Sequence, residues 1–163
     1  MIFIKCIGSA LILAGALLIS GAYSRYYAKS ILECKQLLSF IGEMREDISS
    51  FLLPQSKISE KLRHSQWGEN PFLRAVADGC GLADALEKTS DQLSVPQGFK
   101  QTLAKLFSQL GRSYANDEAA RIDAAVCSLS EALKELEERA VKDVKCARTV
   151  ILATALGIVI LLL

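Results

Sequence analysis

The chain has 163 residues, of which 51% are hydrophobic and 23% are charged, and its formal net charge is +1 at pH 7. Apart from Lys5, no Asp, Glu, Lys or Arg occurs before residue 25 or after residue 148. The middle part therefore holds 18 of the 19 basic residues against 18 acidic ones and is formally neutral, His64 aside, so nothing in its charge resembles the footprint of a nucleic-acid-binding protein.

The first predicted element is an uncharged apolar run from Ile7 to Ala22. A helix of about 20 apolar residues crosses the hydrocarbon core of a bilayer, because only a helix satisfies its own backbone polar groups in lipid. We therefore predict a transmembrane helix over residues 1–24. The alternative is a cleaved signal peptide, since the small residues of Ser20-Gly21-Ala22 fit a cleavage site. The basic residues Arg25 and Lys29, directly after the run, favour retention.

The next element is an amphipathic helix predicted from Ala28 to Leu53, where Pro54 ends it. Its apolar residues recur at three- and four-residue spacing, which is typical of a helix with one buried face. The positions are Ile31, Cys34, Leu38, Ile41, Ile48 and Leu52. Arg45 is the only charged residue on this stripe, and we expect Met44 beside it to make the apolar contact instead.

Several shorter helices are predicted in the middle of the chain. Their ranges are Ser56–Ser65, Pro71 to a stop at Gly79, Leu82–Leu93, and Pro96 to a stop at Gly111. Asn70 before Pro71 is a favourable N-cap followed by proline at the first helical position. The aromatic residues Trp67 and Phe72 lie in this region, and two roles fit them: both fill the core of the bundle, or both form an anchor for a protein partner.

The last helix is predicted to start near Asn116-Asp117 and meets no glycine or proline before Gly157. Its apolar seam consists of Ile122, Val126, Leu129, Leu133, Leu136 and Ala140. The helix continues into a second uncharged run, and we predict a second transmembrane helix over residues 149–163. Each run has small residues at helical spacing, on which another helix could pack closely. They are Gly8, Gly15 and Ala22 in the first run and Thr149, Ala153 and Gly157 in the second.

These elements predict an all-α protein, with a multi-helix antiparallel bundle over residues 25–148 flanked by two terminal transmembrane helices. Basic residues near the span ends favour the cytosolic side of a membrane. On the middle part these are Arg25, Lys29, Lys35, Arg139, Lys142, Lys145 and Arg148. We therefore expect a two-pass membrane protein whose central domain is cytosolic. Five cysteines without a Cys-x-x-Cys pair fit free thiols in a reducing compartment. The alternative is a secreted or surface-exposed helical protein with a cleaved signal peptide and a C-terminal membrane anchor.

The sequence predicts no catalytic, cofactor-binding or metal site. His64 is the only histidine, and no Gly-rich loop ending in Gly-Lys-Ser or Gly-Lys-Thr is present to hold phosphates. The carboxylates Glu43, Glu46 and Asp47 have no histidine or binding loop beside them, and such clusters are usually solvated surface. We therefore expect neither an enzyme nor a small-molecule substrate.

The order and spacing of these features resemble the stage III sporulation protein AB family over essentially the whole chain. The matching positions are Asp47, Ile48, Pro54, Leu103, Leu110, Gly111 and Ile122. The chain departs from the family pattern at Ser50, Leu86 and Tyr114 and in Glu118-Ala119-Ala120, so family contacts at those positions are not carried over.

The resemblance implies a role in endospore formation. The family's cytosolic domain is similar to the helical domains of the inner-membrane platform proteins of type II secretion and type IV pilus systems. The implied partners are a secretion-type ATPase resembling stage III sporulation protein AA, other membrane subunits of the channel between mother cell and forespore, and the lipid bilayer of the mother cell. We expect the ATPase to bind the short-helix region Ser56–Gln92, with Trp67 and Phe72 as candidate contact residues.

Overall fold

The computed structural model describes residues 2–50, 70–110 and 115–162. These residues form five α-helices and no strand, which confirms the all-α prediction for the part of the chain described. The helices are α1 (Ile2–Ser50), α2 (Pro71–Ala77), α3 (Leu82–Thr89), α4 (Gln97–Gln109) and α5 (Ala115–Leu162).

The first and last helices are by far the longest, with 49 and 48 residues. Helix α1 joins the predicted span and the predicted amphipathic helix without a break, and the start of α5 agrees with the start expected near Asn116-Asp117. The stop at Pro54 and the helix over Ser56–Ser65 lie outside the described residues, and both stay predictions.

Helix α2 has the two end signals that the sequence predicts. The Asn70 side-chain oxygen accepts hydrogen bonds from the amides of Phe72 (3.1 Å) and Leu73 (3.4 Å), and Pro71 occupies the first turn. At the other end Gly79 has a φ of 94°, a conformation that glycine adopts without strain. These local signals explain why the helix is only seven residues long.

Helix α3 ends at Thr89, before the Leu93 end that was predicted. The amides of Gln92 and Leu93 both donate to the Thr89 carbonyl, at 3.0 and 3.2 Å, so the chain turns there. The Lys100 ammonium group on α4 donates to the Ser90 carbonyl at 2.5 Å, and its positive charge offsets the partial negative charge at the C-terminal end of α3. Helix α2 packs on α3, and α3 packs on α4.

The described chain packs as two compact units, one of Met1–Ala28 with Leu136–Leu163 and one of Lys29–Glu135. The larger unit has an aliphatic and aromatic core to which every helix contributes. Its fully buried side chains include Cys34, Leu37, Ile41, Phe72, Leu73, Phe99, Leu103, Ile122 and Leu129. These boundaries follow packing, and the predicted limits of the membrane spans remain predictions.

The buried face of α1 in the larger unit is rotated slightly from the predicted stripe. Cys34, Ile41 and Met44 are buried as expected, but Leu37 and Phe40 are buried where Ile31 and Leu38 are only partly covered. Phe40 sets this rotation because its ring contacts Phe72 edge to face, with 6.0 Å between ring centroids. The side chain of Ile48 is not described.

Arg45 lies outside the buried face of α1 and pairs with a carboxylate of α5. Its Nε and Nη2 atoms donate to the two carboxylate oxygens of Asp123, at 2.5 and 2.9 Å. This bidentate geometry fixes α1 against α5 at this level of the unit. On α5 itself, Ile122, Leu129 and Leu133 are buried as the predicted seam requires, whereas Val126 is partly exposed.

The smaller unit has little internal core. Among the described side chains of the two apolar runs, Ala16 and Ala155 are buried, and Gly8 and Gly15 of the first predicted set are partly buried. Thr149, Ala153 and Gly157 are exposed. Helices α1 and α5 are both long and apolar enough to cross a membrane, and 6% of the most apolar window in each is buried within the chain. A core helix of a soluble protein would instead be covered by its neighbours.

Candidate interaction surface

The candidate contact residue Phe72 lies in the core of the larger unit. It has no exposed surface, its ring stacks on Phe107 of α4 at 5.5 Å with an interplanar angle of 3°, and it meets Phe40 of α1 edge to face. Trp67 lies outside the described residues. The structure therefore places Phe72 where three helices meet and presents its ring inward, and the role of either aromatic residue in partner binding stays a prediction.

Two polar contacts fasten the segment that carries α2 and α3 to helix α1. At the start of the segment, the Asn70 amide donates to the side-chain oxygen of Gln36 at 3.3 Å. At its end, the Ser94 backbone amide donates to the Glu33 carboxylate at 2.7 Å. Lys29 lies 3.6 Å from the same carboxylate, one helical turn away. Helix α1 thus holds both ends of the short-helix segment.

Glu33 is unusual because its side chain is only 5% exposed. A buried carboxylate is costly unless hydrogen bonds and a cation compensate it, and here the Ser94 amide and the Lys29 ammonium group do so. Sequence reasoning missed this residue. The available signal was its place directly before Cys34, on the face that also contains Leu37 and Phe40.

The exposed side of α3 is charged. It carries Asp84, Glu87 and Lys88, and Asp91 is exposed just after the helix ends. Beside it, α3 and α4 enclose a shallow groove of about 410 Å³, whose lining includes Leu86, Glu87, Lys100 and Gln101. A second groove of about 330 Å³ lies between α4 and α5, with Lys105, Arg121 and Ser128 in its lining.

The described residues contain no group of three or more His, Cys, Asp or Glu side chains that could hold a metal ion. His64 lies outside them. Glu46 and Asp47 on α1 both have interaction partners. Burial raises the pKa of the Cys34 thiol to about 12, and the neighbouring charge of Glu33 adds to the effect. A thiol with such a pKa is a poor nucleophile at neutral pH.

In the smaller unit, a hydrogen bond between Tyr27 and Asp143 joins α1 and α5 beside the apolar runs. The Tyr27 hydroxyl donates to the Asp143 carboxylate at 3.0 Å. Tyr27 follows Ala22 by five residues, and Asp143 precedes Thr149 by six. Tyr23 and Tyr26 both contact the Tyr27 ring edge to face, at 5.3 and 5.9 Å. Sequence reasoning missed this contact, although three tyrosines directly after an apolar run are typical of a membrane interface.

Comparison with known proteins identifies one family. The family model described as stage III sporulation protein AB matches residues 5–163. No curated protein and no solved structure matches the chain. The family match confirms the resemblance seen in the sequence and covers nearly its whole length, and the chain therefore belongs to the stage III sporulation protein AB family.

Proposed function

We propose that this protein is a noncatalytic membrane platform of the sporulation channel between mother cell and forespore, and that it couples a secretion-type ATPase to that channel. Family membership implies a role in stage III of sporulation. The proposal adds a location and partners. The chain passes twice through the mother-cell membrane, with its central domain in the cytosol. Its partners are an ATPase resembling stage III sporulation protein AA and the other membrane subunits of the channel.

The Tyr27–Asp143 hydrogen bond is the observation that supports insertion of both apolar runs into the membrane. It joins the two helices at nearly equal distances from their apolar runs, so both runs begin at the same level of the smaller unit. Two helices in this register can enter a bilayer together as a hairpin. The apolar side chains beyond that level are exposed and need a nonpolar surrounding, among them Leu18 (68%), Val150 (57%) and Ile160 (72%).

The partner surface that we propose is the short-helix region Ser56–Gln92. Its described part is held to α1 at Asn70 and carries the exposed charged side of α3, with Asp84, Glu87 and Lys88. An exposed charged face of this kind suits recognition of a soluble partner, because complementary charges raise association rates and exclude wrong partners. Phe72 would support this surface from below, since its ring is buried.

The experiment is a pull-down of the cognate ATPase by the full-length protein in detergent. We expect the wild type to retain the ATPase, and we expect Trp67→Ala and the double variant Asp84→Lys/Glu87→Lys to lose it. Phe72→Ala would also lose it, but through loss of core packing, so its fold must be checked by circular dichroism. Without the ATPase, neither the wild type nor any of these variants should bind or hydrolyse ATP.

The matched control is Glu131→Lys/Glu138→Lys, which reverses two exposed charges on α5 outside the proposed surface. It should retain the ATPase. Retention by the folded α3 variant would move the interface elsewhere on the protein. Absence of any retention by the wild type, also after reconstitution into membranes, would contradict the platform function.

A further inference from the structure

Four basic side chains surround the level at which the two apolar runs begin. We call Arg25, Lys142, Lys145 and Arg148 the basic collar, and all four are exposed. The three residues on α5 form no ion pair with any side chain that the structure describes, and the Arg25 guanidinium group donates only to the Gly21 carbonyl, at 3.4 Å. Asp143, the carboxylate within this stretch of α5, accepts the hydroxyl of Tyr27. The collar charges are therefore available to an external anion.

The surroundings of the basic collar identify the kind of anion. Tyr23 and Tyr26 lie at the same level with exposed rings, and amphipathic aromatic rings of this kind settle at lipid headgroups. One turn further along each helix, the exposed side chains are apolar, as at Ile19 and Val150. A free phosphate ion would make no favourable contact with these apolar side chains. A phospholipid, by contrast, places its phosphate beside the cations and its acyl chains beside the apolar side chains.

We propose that the basic collar binds the headgroups of anionic phospholipids, so that the protein selects these lipids at its boundary. This inference rests on the membrane insertion in the proposed function. Long Lys and Arg side chains reach from a helix to the headgroup layer, and a basic residue close to an anionic leaflet strengthens the attraction about fivefold. Three adjacent unpaired cations on α5 are therefore enough for a measurable preference.

The test uses the full-length protein in phosphatidylcholine vesicles that contain a trace of spin-labelled lipid. Electron spin resonance separates the motionally restricted lipid at the protein surface from the bulk lipid. We expect spin-labelled phosphatidylglycerol to be enriched severalfold at the surface over spin-labelled phosphatidylcholine. The enrichment should decrease with salt, because exposed charges are screened.

The test variant is Lys142→Gln/Lys145→Gln/Arg148→Gln, which we expect to lose the enrichment. The matched control, Lys105→Gln/Arg121→Gln/Lys134→Gln, removes the same three charges from exposed positions of the larger unit and should keep it. Inorganic phosphate should compete no better than chloride at equal ionic strength. Equal loss in both variants, specific competition by phosphate, or no enrichment in the wild type would each overturn the proposal.

Failure of the membrane insertion would give a different spin-resonance spectrum from failure of the lipid preference. The spectrum would then contain no restricted component for either lipid, whereas an inserted protein without lipid preference would restrict both lipids equally.

Discussion

Cys34 is a residue whose chemistry is set by its surroundings. It is fully buried on α1, whereas Cys127 on α5 is exposed. Raising the pKa of the Cys34 thiol from 9.0 to about 12 lowers its thiolate fraction roughly a thousandfold at pH 8. We therefore expect a short treatment of the folded protein with iodoacetamide to modify Cys127 and leave Cys34 intact, as measured by peptide mass spectrometry. In denaturant both should react, and equal labelling of the two in the native protein would contradict the buried position.

The Arg45–Asp123 pair makes stability depend on pH. The hydrogen bond from Arg45, together with its positive charge, lowers the pKa of the Asp123 carboxyl in the folded protein. A lowered folded-state pKa means that the pair stabilises the protein fully above the unfolded-state value, about 3.9, and that this stabilisation is lost as the pH falls through the folded-state pKa.

We expect Asp123→Asn to melt below the wild type at pH 7 and the two melting temperatures to converge in acid. Both partners are about half exposed, so the difference should be small and should shrink in high salt. Glu131→Gln, an exposed change on the same helix, serves as the control and should not show this convergence. A difference that persists unchanged from pH 7 to the acid limit would show that charge pairing is not its cause.

At the scale of elements, the seam of α5 can be tested with a matched pair of substitutions. Leu129 has no exposed surface, whereas Leu32 on α1 is 53% exposed. Leu129→Ala removes buried methyl groups and leaves a cavity, which costs about 2–5 kcal/mol, while Leu32→Ala should change stability by less than about 0.5 kcal/mol. Thermal unfolding of the full chain in detergent, followed by circular dichroism, measures both. Similar melting temperatures for the two variants would contradict the burial of the seam.

The elements that the sequence predicts well are those with local causes. Asn70, Pro71 and Gly79 define the ends of α2 through bonds within a few residues, and the absence of glycine and proline keeps the first forty residues of α5 helical. The rotation of α1 depends on Phe40 meeting Phe72, a contact between residues far apart in the sequence. Periodicity alone cannot reveal such a contact, because two neighbouring faces of the helix are both apolar.

The polar contacts of the candidate surface could not be predicted from the sequence for a similar reason, because they join residues that are far apart in the chain. Glu33 resembles any other surface carboxylate until the Ser94 loop folds over it. Likewise, the prediction for Phe72 left a core role and a partner role open, and only the packing of α2 against α4 places its ring inside. Residue type alone does not show whether a charged side chain such as Glu33 is buried or an aromatic side chain such as Phe72 is exposed, because the tertiary structure determines both.

At the scale of the whole molecule, the proposed topology makes a prediction about access to the turn at Gly79. This glycine is exposed, so an epitope tag with a protease site placed there should not disturb the helices beside it. We expect external protease to leave the tag intact in whole cells and to remove it after permeabilisation. Cleavage in intact cells would instead support the secreted or surface-exposed alternative. A tag on a cytosolic protein and one on a secreted protein provide the two controls.

The two ties between α1 and the segment of residues 70–94 have a consequence for its motion. These contacts lie at the two ends of the segment, and between them the buried side chains of Phe72, Leu73 and Ala85 hold α2 and α3 in the core, so local detachment of the two helices must break both the end contacts and this packing. We expect α2 and α3 to open together, so that amide hydrogen exchange is synchronous across the two helices. Each such opening would bring the Phe72 ring to the surface for a short time. A buried aromatic residue would in this way be offered to a partner only transiently, at a frequency set by the two end contacts and the packing of Phe72 together.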